Sequence, residues 1–373
     1  MLRAIISVLL LLTFQSHTTF AADGDIDTWL EGGALLNQLN LQETLSNEEF
    51  IFGRSERTSA PEIKIKITID HRGQIVGGEN IKITVLENNQ VITEAFTDQN
   101  GELVIPLQSN DKSLKIFASL DNQWWSITPT NAPYRIEIGE LGPDDIGANI
   151  TLHVDNQNQL HQAFSIHQVA TLQLKFLTTN LIDLNWWKKL TIHWPADGDY
   201  YSYNGNVYIT NGGYWDVVGH ELGHAIYDFA SKGSFGGGQH RIDECYGQTL
   251  AFSEGWASFF SATTQINSDD PDAKFEFMVP RRAPLGIEHV PDDVCRGDTN
   301  EWRVYASLWD LYDGYTGDDD NFQMPFIIQW LAMQGPNQMR GIRDFIEGNL
   351  FKNFDITEKE EILRVLRENT IEW

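Results

Sequence analysis

In the stretch "VVGHELGHAIYDFA", residues 217–230, two histidines stand four apart around a glutamate in a sequence that otherwise reads as buried helix. Residues i and i+4 of a helix share a face, so His220 and His224 can aim at one ion while Glu221 projects about a third of a turn away. Imidazole suits zinc. The H-E-x-x-H arrangement leaves the glutamate free to handle the proton of a metal-held water. Two histidines make an incomplete site, because a catalytic zinc takes three protein ligands. The longer pattern with a third histidine six residues on fails here, since position 230 is Ala230. A carboxylate from a following helix is the alternative, and "FSEGWASFF" places Glu254 thirty residues after His224. Its helix carries Gly247, Ala251, Gly255, Ala257 and Ser258, small side chains that permit the close approach a shared ion demands. His240, behind the glycine-rich "GSFGGG", could replace Glu254 or face a substrate, or be an ordinary loop histidine.

The elements that must position these groups follow from periodicity. Val217, Val218, Leu222, Ala225, Ile226 and Phe229 supply the apolar face of the histidine helix. Upstream, "LHQAFSIHQVATLQLKFLTTN" has helical spacing, "KLTIHW" reads as a strand, and "YYSYNGNVYIT" holds a second strand after an Asn-Gly turn. That second strand, just before the metal helix, is a candidate for pairing with an extended substrate. Downstream come a long helix, "IDECYGQTLAFSEGWASFFSATT", an acidic region and C-terminal helices. In the last of these, Thr357 and Glu360 have capping-box spacing. His161, His167, His193 and His289 have no ligand partner at useful spacing and read as structural.

Residues 61 to about 154 have period two instead. "EIKIKITID", "ENIKITVLENN", "TDQNGELVIPL", "KIFASL", "WWSITP", "YRIEI" and "ANITLHV" are short half-buried strands separated by turn residues, the pattern of a β-sandwich. Trp124 and Trp125 are expected in its core, with a sugar-stacking platform as the alternative. The expected fold class is therefore α+β and multidomain: an antiparallel β-sandwich over 61–154, then a mainly helical metal-bearing domain with a small sheet over 157–373. Residues 1–22 have the basic start, apolar run and small-residue cleavage site of a signal peptide, and 23–60 read as a lead-in and linker or a pro-segment. The chain is thus expected to be secreted or periplasmic, with no membrane span once the leader is removed.

Bulk properties narrow the partners. A net charge of -27 over 373 residues argues against nucleic acid and anionic membrane as partners. The two cysteines of an exported chain, Cys245 and Cys295, read as one disulfide, against two free buried thiols. Closing a loop of about fifty residues adds on the order of 4 kcal/mol in the chain-entropy view. Asp313, Asp318, Asp319 and Asp320 read first as a solvated acidic loop, with a calcium site as the alternative.

With "HELGH" and "SEGWA" in place, the sequence resembles the glutamate-zincin clan of zinc metallopeptidases, over about residues 157–330. The resemblance implies zinc ligation by His220, His224 and Glu254, with Glu221 as general base and later proton donor. "HELGHAIYD" is similar to the thermolysin-type helix, and by that likeness Asp228 orients a ligand. The clan commonly stabilises its oxyanion with a downstream tyrosine or histidine, which makes Tyr305 the first candidate, set against an aromatic core stripe with Leu308, Trp309 and Tyr312. Arg303 is a candidate donor to ligand. The strand-turn pattern of 61–154 resembles transthyretin-like or carboxypeptidase-regulatory-like modules. The aminopeptidase-type "GAMEN" anchor is absent, so an endopeptidase acting on protein or peptide substrates is expected. The competing functions are an extracellular binding or adhesive protein on a peptidase-like scaffold, and a zinc hydrolase of a non-peptide amide or ester.

Overall fold

Alternation in the first strand shows how this sequence builds its core. In β1 (Glu62–His71), Ile63, Ile65, Ile67 and Ile69 all point inward and are buried, while Lys64 and Lys66 between them are exposed. Each buried isoleucine contributes roughly 1.5–3 kcal/mol of burial free energy. The structure is a computed structural model that describes residues 62–373 apart from 108–112, 130–131, 143–144, 146–147 and 314–321. The expected leader, the lead-in segment and Asp318, Asp319 and Asp320 lie outside the described residues.

Two four-stranded sheets follow from the period-two region. In one, β1 pairs with β2 (Gln74–Gly77) and β5 (Glu102–Pro106) antiparallel and with β9 (Asn149–Val154) in parallel. The other has the order β4-β3-β6-β8, from β3 (Lys82–Glu87), β4 (Gln90–Phe96), β6 (Leu114–Ser119) and β8 (Arg135–Leu141). The expectation of a wholly antiparallel arrangement is corrected by β9. Its parallel run beside β1 delivers the chain to the first helix of the described residues, α1 (His161–Thr179), where His161 Nε2 meets Asp70 O at 2.8 Å.

A second correction concerns "WWSITP". Strand β7 (Trp125–Thr128) leaves the sandwich sheets and pairs in parallel with β10 (Leu190–His193), in a sheet ordered β11-β12-β10-β7 with β11 (Tyr200–Ser202) and β12 (Asn206–Tyr208). Trp125 is wholly buried there, and its Nε1 donates to His167 Nδ1 at 3.1 Å while His167 Nε2 donates to Glu79 O at 2.6 Å. One imidazole thereby ties α1, β7 and the turn before β3 together, and burial lowers its pKa to about 4, so it is neutral at physiological pH. Trp124 stacks edge-on against Trp187. The β11–β12 turn uses Asn204 and Gly205, both in the left-handed region that the Asn-Gly pair tolerates.

The helical remainder includes α2 (Trp215–Ala230), α3 (Gln248–Gln265), a short hairpin of β13 (Lys274–Phe275) and β14 (Leu285–Gly286), then α4 (Glu301–Asp310), α5 (Phe326–Met333), a π-helical turn (Asp344–Asn349) running into a 3-10 turn (Leu350–Asn353), and α6 (Ile356–Glu368). Helix α3 begins later than its sequence suggests, because residues 242–246 are tied instead to the segment before α4. Cys295 N donates to Asp243 O, Tyr246 N donates to Thr299 O, and Cys245 is disulfide-bonded to Cys295 with Cα atoms 5.5 Å apart. The capping box of α6 is not Thr357 with Glu360. Asp355 accepts from Thr357 N and Glu358 N, and the Glu358 carboxylate accepts from Asp355 N, because the aspartate two residues earlier is a better N-cap than threonine. The whole is mixed α/β with several small sheets. No helix among the described residues is long and apolar enough to cross a membrane.

Candidate active site

Helices α2 and α3 run close together because glycine lines their contact. A Cβ placed on Gly223, inside "HELGH", would lie 2.9 Å from Ala257 O, and one on Gly255 would lie 2.5 Å from Val304 Cγ1 of α4. Larger residues at either point would push the helices apart. The small faces read from the sequence therefore set the spacing of three helices.

That spacing brings His220 Nε2, His224 Nε2 and Glu254 Oε2 to 3.0 Å from one another. All three side chains are buried. Hydrogen bonds alone do not account for this triangle, since two imidazole nitrogens and a carboxylate oxygen all bring lone pairs to it. A single cation on the shared side satisfies all three, and a triangle of this size fits a point about 2.0–2.2 Å from every corner, as zinc requires. Burial pushes the Glu254 carboxyl upward, but His224 and His220 outweigh it and hold the group well below the usual carboxylate range. His220 Nδ1 is 3.0 Å from Ser258 Oγ on the facing helix, which orients the ring.

Glu221 also lines the cleft and is buried. Burial raises its carboxyl to about 7, opposed by His220, reinforced by the negative charges of Glu254 and Asp199, and opposed again by the Tyr201 backbone N–H that it accepts. The cleft has a volume of about 510 Å³, with Tyr203, Tyr214, Phe235 and Phe277 among its walls and Gly236–Gly238 along one side. Asp216, buried at the start of α2, accepts from Phe277 N and Met278 N and so fixes the wall that faces the histidines.

Other sequence candidates are placed differently. Asp228 does not reach either histidine. Its Oδ2 accepts from Tyr201 OH at 2.5 Å, so it anchors strand β11, one helical turn beyond the metal-facing side. His224 Nδ1 is buried without a hydrogen-bond partner among the described residues. Tyr305 is not in the cleft. It is wholly buried between Trp302 and Phe275, its hydroxyl has no hydrogen-bond partner among the described residues, and burial together with the charge of Glu301 raises its pKa well above the usual value. The aromatic stripe on α4 faces the core. Tyr305→Phe should accordingly leave any chemistry of the cleft unchanged and keep or raise the melting temperature, because the substitution removes an unsatisfied buried hydroxyl and keeps the ring. A kinetic and thermal comparison with the unaltered chain checks this. Arg303 turns away as well, donating to Pro291 O at 3.0 Å and also meeting Val290 O and Val294 O, where it clamps a loop. Strand β12 has neighbours on both sides, so it offers no edge to a substrate, and the outer strands of that sheet are β11 and β7.

Two groups emerge that the sequence underrated or missed. His240 lines the cleft, with Nε2 3.1 Å from Glu301 Oε2 and 3.7 Å from Glu254 Oε2. The Glu301 carboxylate raises the imidazole pKa to about 9 against the effect of burial. Glu301 itself reads in sequence as an ordinary acidic residue in the first turn of a helix, favoured there by the dipole. Asn300 before it accepts from Arg303 N at Oδ1 to cap α4, while its Nδ2 donates to Ile242 O and Glu244 O. That asparagine joins the His240 loop to the Glu301 helix.

Comparison with known proteins adds one substantive match. No curated protein matches the chain. The solved structure of a 9R-lipoxygenase from Cyanothece PCC8801 aligns with 14% identity and a TM-score of 0.17, over 41% of this chain and 28% of its own, a likeness too slight to bear on fold or function. A family model described as the Mycolysin C-terminal domain matches residues 172–347, a span that contains His220, Glu221, His224, His240, Glu254 and Glu301. This match sets the chain in a zinc-metallopeptidase context.

Proposed function

We propose that this chain is a secreted zinc-dependent endopeptidase. The observation that carries the reading is the convergence of His220 Nε2, His224 Nε2 and Glu254 Oε2 at 3.0 Å, with Glu221 beside them in an open cleft. Zinc held by those three residues would supply Lewis acidity and lower the pKa of a coordinated water towards about 7. Glu221 accepts the proton of the attacking water and later delivers it to the departing amine. His240, kept positive by Glu301, is the group that faces negative charge developing on the substrate carbonyl oxygen, the role for which the sequence offered Tyr305. Val217, Phe235 and Met278 keep the surroundings apolar, which strengthens each of these interactions.

Internal cleavage is supported by how the cleft carboxylates are engaged. An exopeptidase needs an acidic anchor for the substrate amine. Asp199 already accepts from Thr210 N and Thr210 Oγ1, Glu254 faces the histidines, and Glu301 faces His240. An extended peptide would lie alongside β11, whose Tyr200 and Tyr201 line the cleft together with Tyr203 just beyond the strand.

Metal analysis with proteolysis of an unfolded protein substrate tests the reading. The purified chain should carry zinc and cut at internal positions, a chelator should abolish cutting, and added zinc should restore it. Cutting that survives complete zinc removal sinks the proposal. Hydrolysis of esters or small amides with peptides left intact would move the assignment to the non-peptide hydrolase.

A further inference from the structure

We infer that His240, Glu254 and Glu301 form a second divalent-cation site that shares Glu254 with the first. The inference rests on the zinc-peptidase reading and extends it to regulation of the same cleft. The three residues offer one imidazole nitrogen and two carboxylate oxygens close enough to hold one ion, and Glu254 and Glu301 are buried.

Orientation favours an ion over a simple pair. His240 Nδ1 is 3.1 Å from Gly238 O, so a proton on Nδ1 donates to that carbonyl and leaves the Nε2 lone pair facing the carboxylates. Metal-ligating histidines characteristically make such a bond with the other ring nitrogen. Glu301 Oε2 lies 3.1 Å from His240 Nε2, yet it is buried with no hydrogen bond in proper alignment. Donors around one ion stand near one another without pointing at one another, because each points at the ion. A buried carboxylate oxygen lacking an aligned donor is costly, and a cation on the common side relieves that cost.

The support for this cluster is independent of the first. Asn300 fastens residues 242 and 244 to the start of α4, and the Cys245–Cys295 disulfide closes the same loop. Contacts of 3.1 and 3.7 Å, against 3.0 Å in the histidine pair's cluster, make this the looser and weaker site. One imidazole with two carboxylates suits zinc or manganese. Filling it commits His240 Nε2 to the ion, so the group no longer faces the substrate. Excess zinc should therefore slow turnover while the first site stays loaded.

Zinc titration of the full chain by equilibrium dialysis, with activity followed in parallel, tests this. The unaltered chain should bind two zinc ions per molecule with separate affinities and lose activity as the weaker site fills. Glu301→Gln, close to isosteric, and His240→Ala should each lose the weaker ion, keep the tighter one, and in Glu301→Gln abolish the inhibition. His220→Ala should lose the tighter ion. A chain that binds one zinc, lost on His220→Ala and kept in the other two variants, overturns this inference and leaves the peptidase reading standing. So does a weaker ion retained in both Glu301→Gln and His240→Ala. A chain that binds no zinc overturns both.

Discussion

Glu221→Gln should keep the bound zinc and lose turnover by about 10²- to 10⁴-fold, the usual contribution of a positioned general base. The amide is nearly the shape of the carboxylate, and Glu221 is outside the triangle of His220, His224 and Glu254, so metal content should be unchanged. It cannot take a proton from water at neutral pH. Without metal the Glu221 carboxyl is raised to about 7, chiefly by burial. A dication beside it favours the ionised form and lowers that value, so the acid limb of kcat/KM in the zinc-loaded protein should fall below pH 7, with activity rising as the carboxyl ionises. Metal analysis and a pH profile on one preparation check both parts. A variant with near-normal turnover would remove Glu221 from the chemistry.

Glu254→Ala should lose both zinc and turnover. It deletes the oxygen that both His220 Nε2 and His224 Nε2 meet at 3.0 Å, leaving two imidazoles and a gap. The thermodynamic signature separates this from a folding defect. A ligand present at a thousand times its Kd stabilises the native state by about 4.1 kcal/mol, so a chelator should lower the melting temperature of the unaltered chain markedly. In Glu254→Ala the chelator should have little effect, and the variant should melt near the chelated unaltered protein. Retention of stoichiometric zinc with unchanged affinity would mean that another residue supplies the third ligand.

The contrast between Glu254 and Tyr305 shows which parts of the site are legible in sequence. His220, Glu221 and His224 belong to one helix, where spacing alone fixes the face. Glu254 was found because the residues around it are small, and small residues report a close helix contact whatever the rest of the fold does. Tyr305 is a candidate only through the clan resemblance, and periodicity does not say whether its aromatic stripe looks into a cleft or into a core. For Tyr305 the answer is set by packing against Phe275 of β13, beside Trp302 of its own helix. His240 is a candidate in the sequence, but its meeting with Glu301 is not legible there, for a different reason. Their meeting depends on a loop whose course is decided by Asn300, Asp243 and the disulfide, three long-range contacts with no local periodicity. Among the strands, β1 was readable from alternation, whereas the departure of β7 to another sheet was not, because Trp125 and Ile127 would be buried equally well in either place.

That departure bears on how such a chain can be inherited or rearranged. A module joined by a linker can be lost, duplicated or exchanged by recombination at its boundary, and the partner it leaves behind keeps its own sheet. Here a cut between residues 154 and 157 would give one product β7 and the other β10, two adjacent strands of a single sheet. It would also part His167 from both Trp125 and Glu79. Residues 125–193 thus interlock the two parts at the level of hydrogen-bonded strands, and separating the sandwich sheets from the helices that carry the histidines would leave both products with an incomplete sheet.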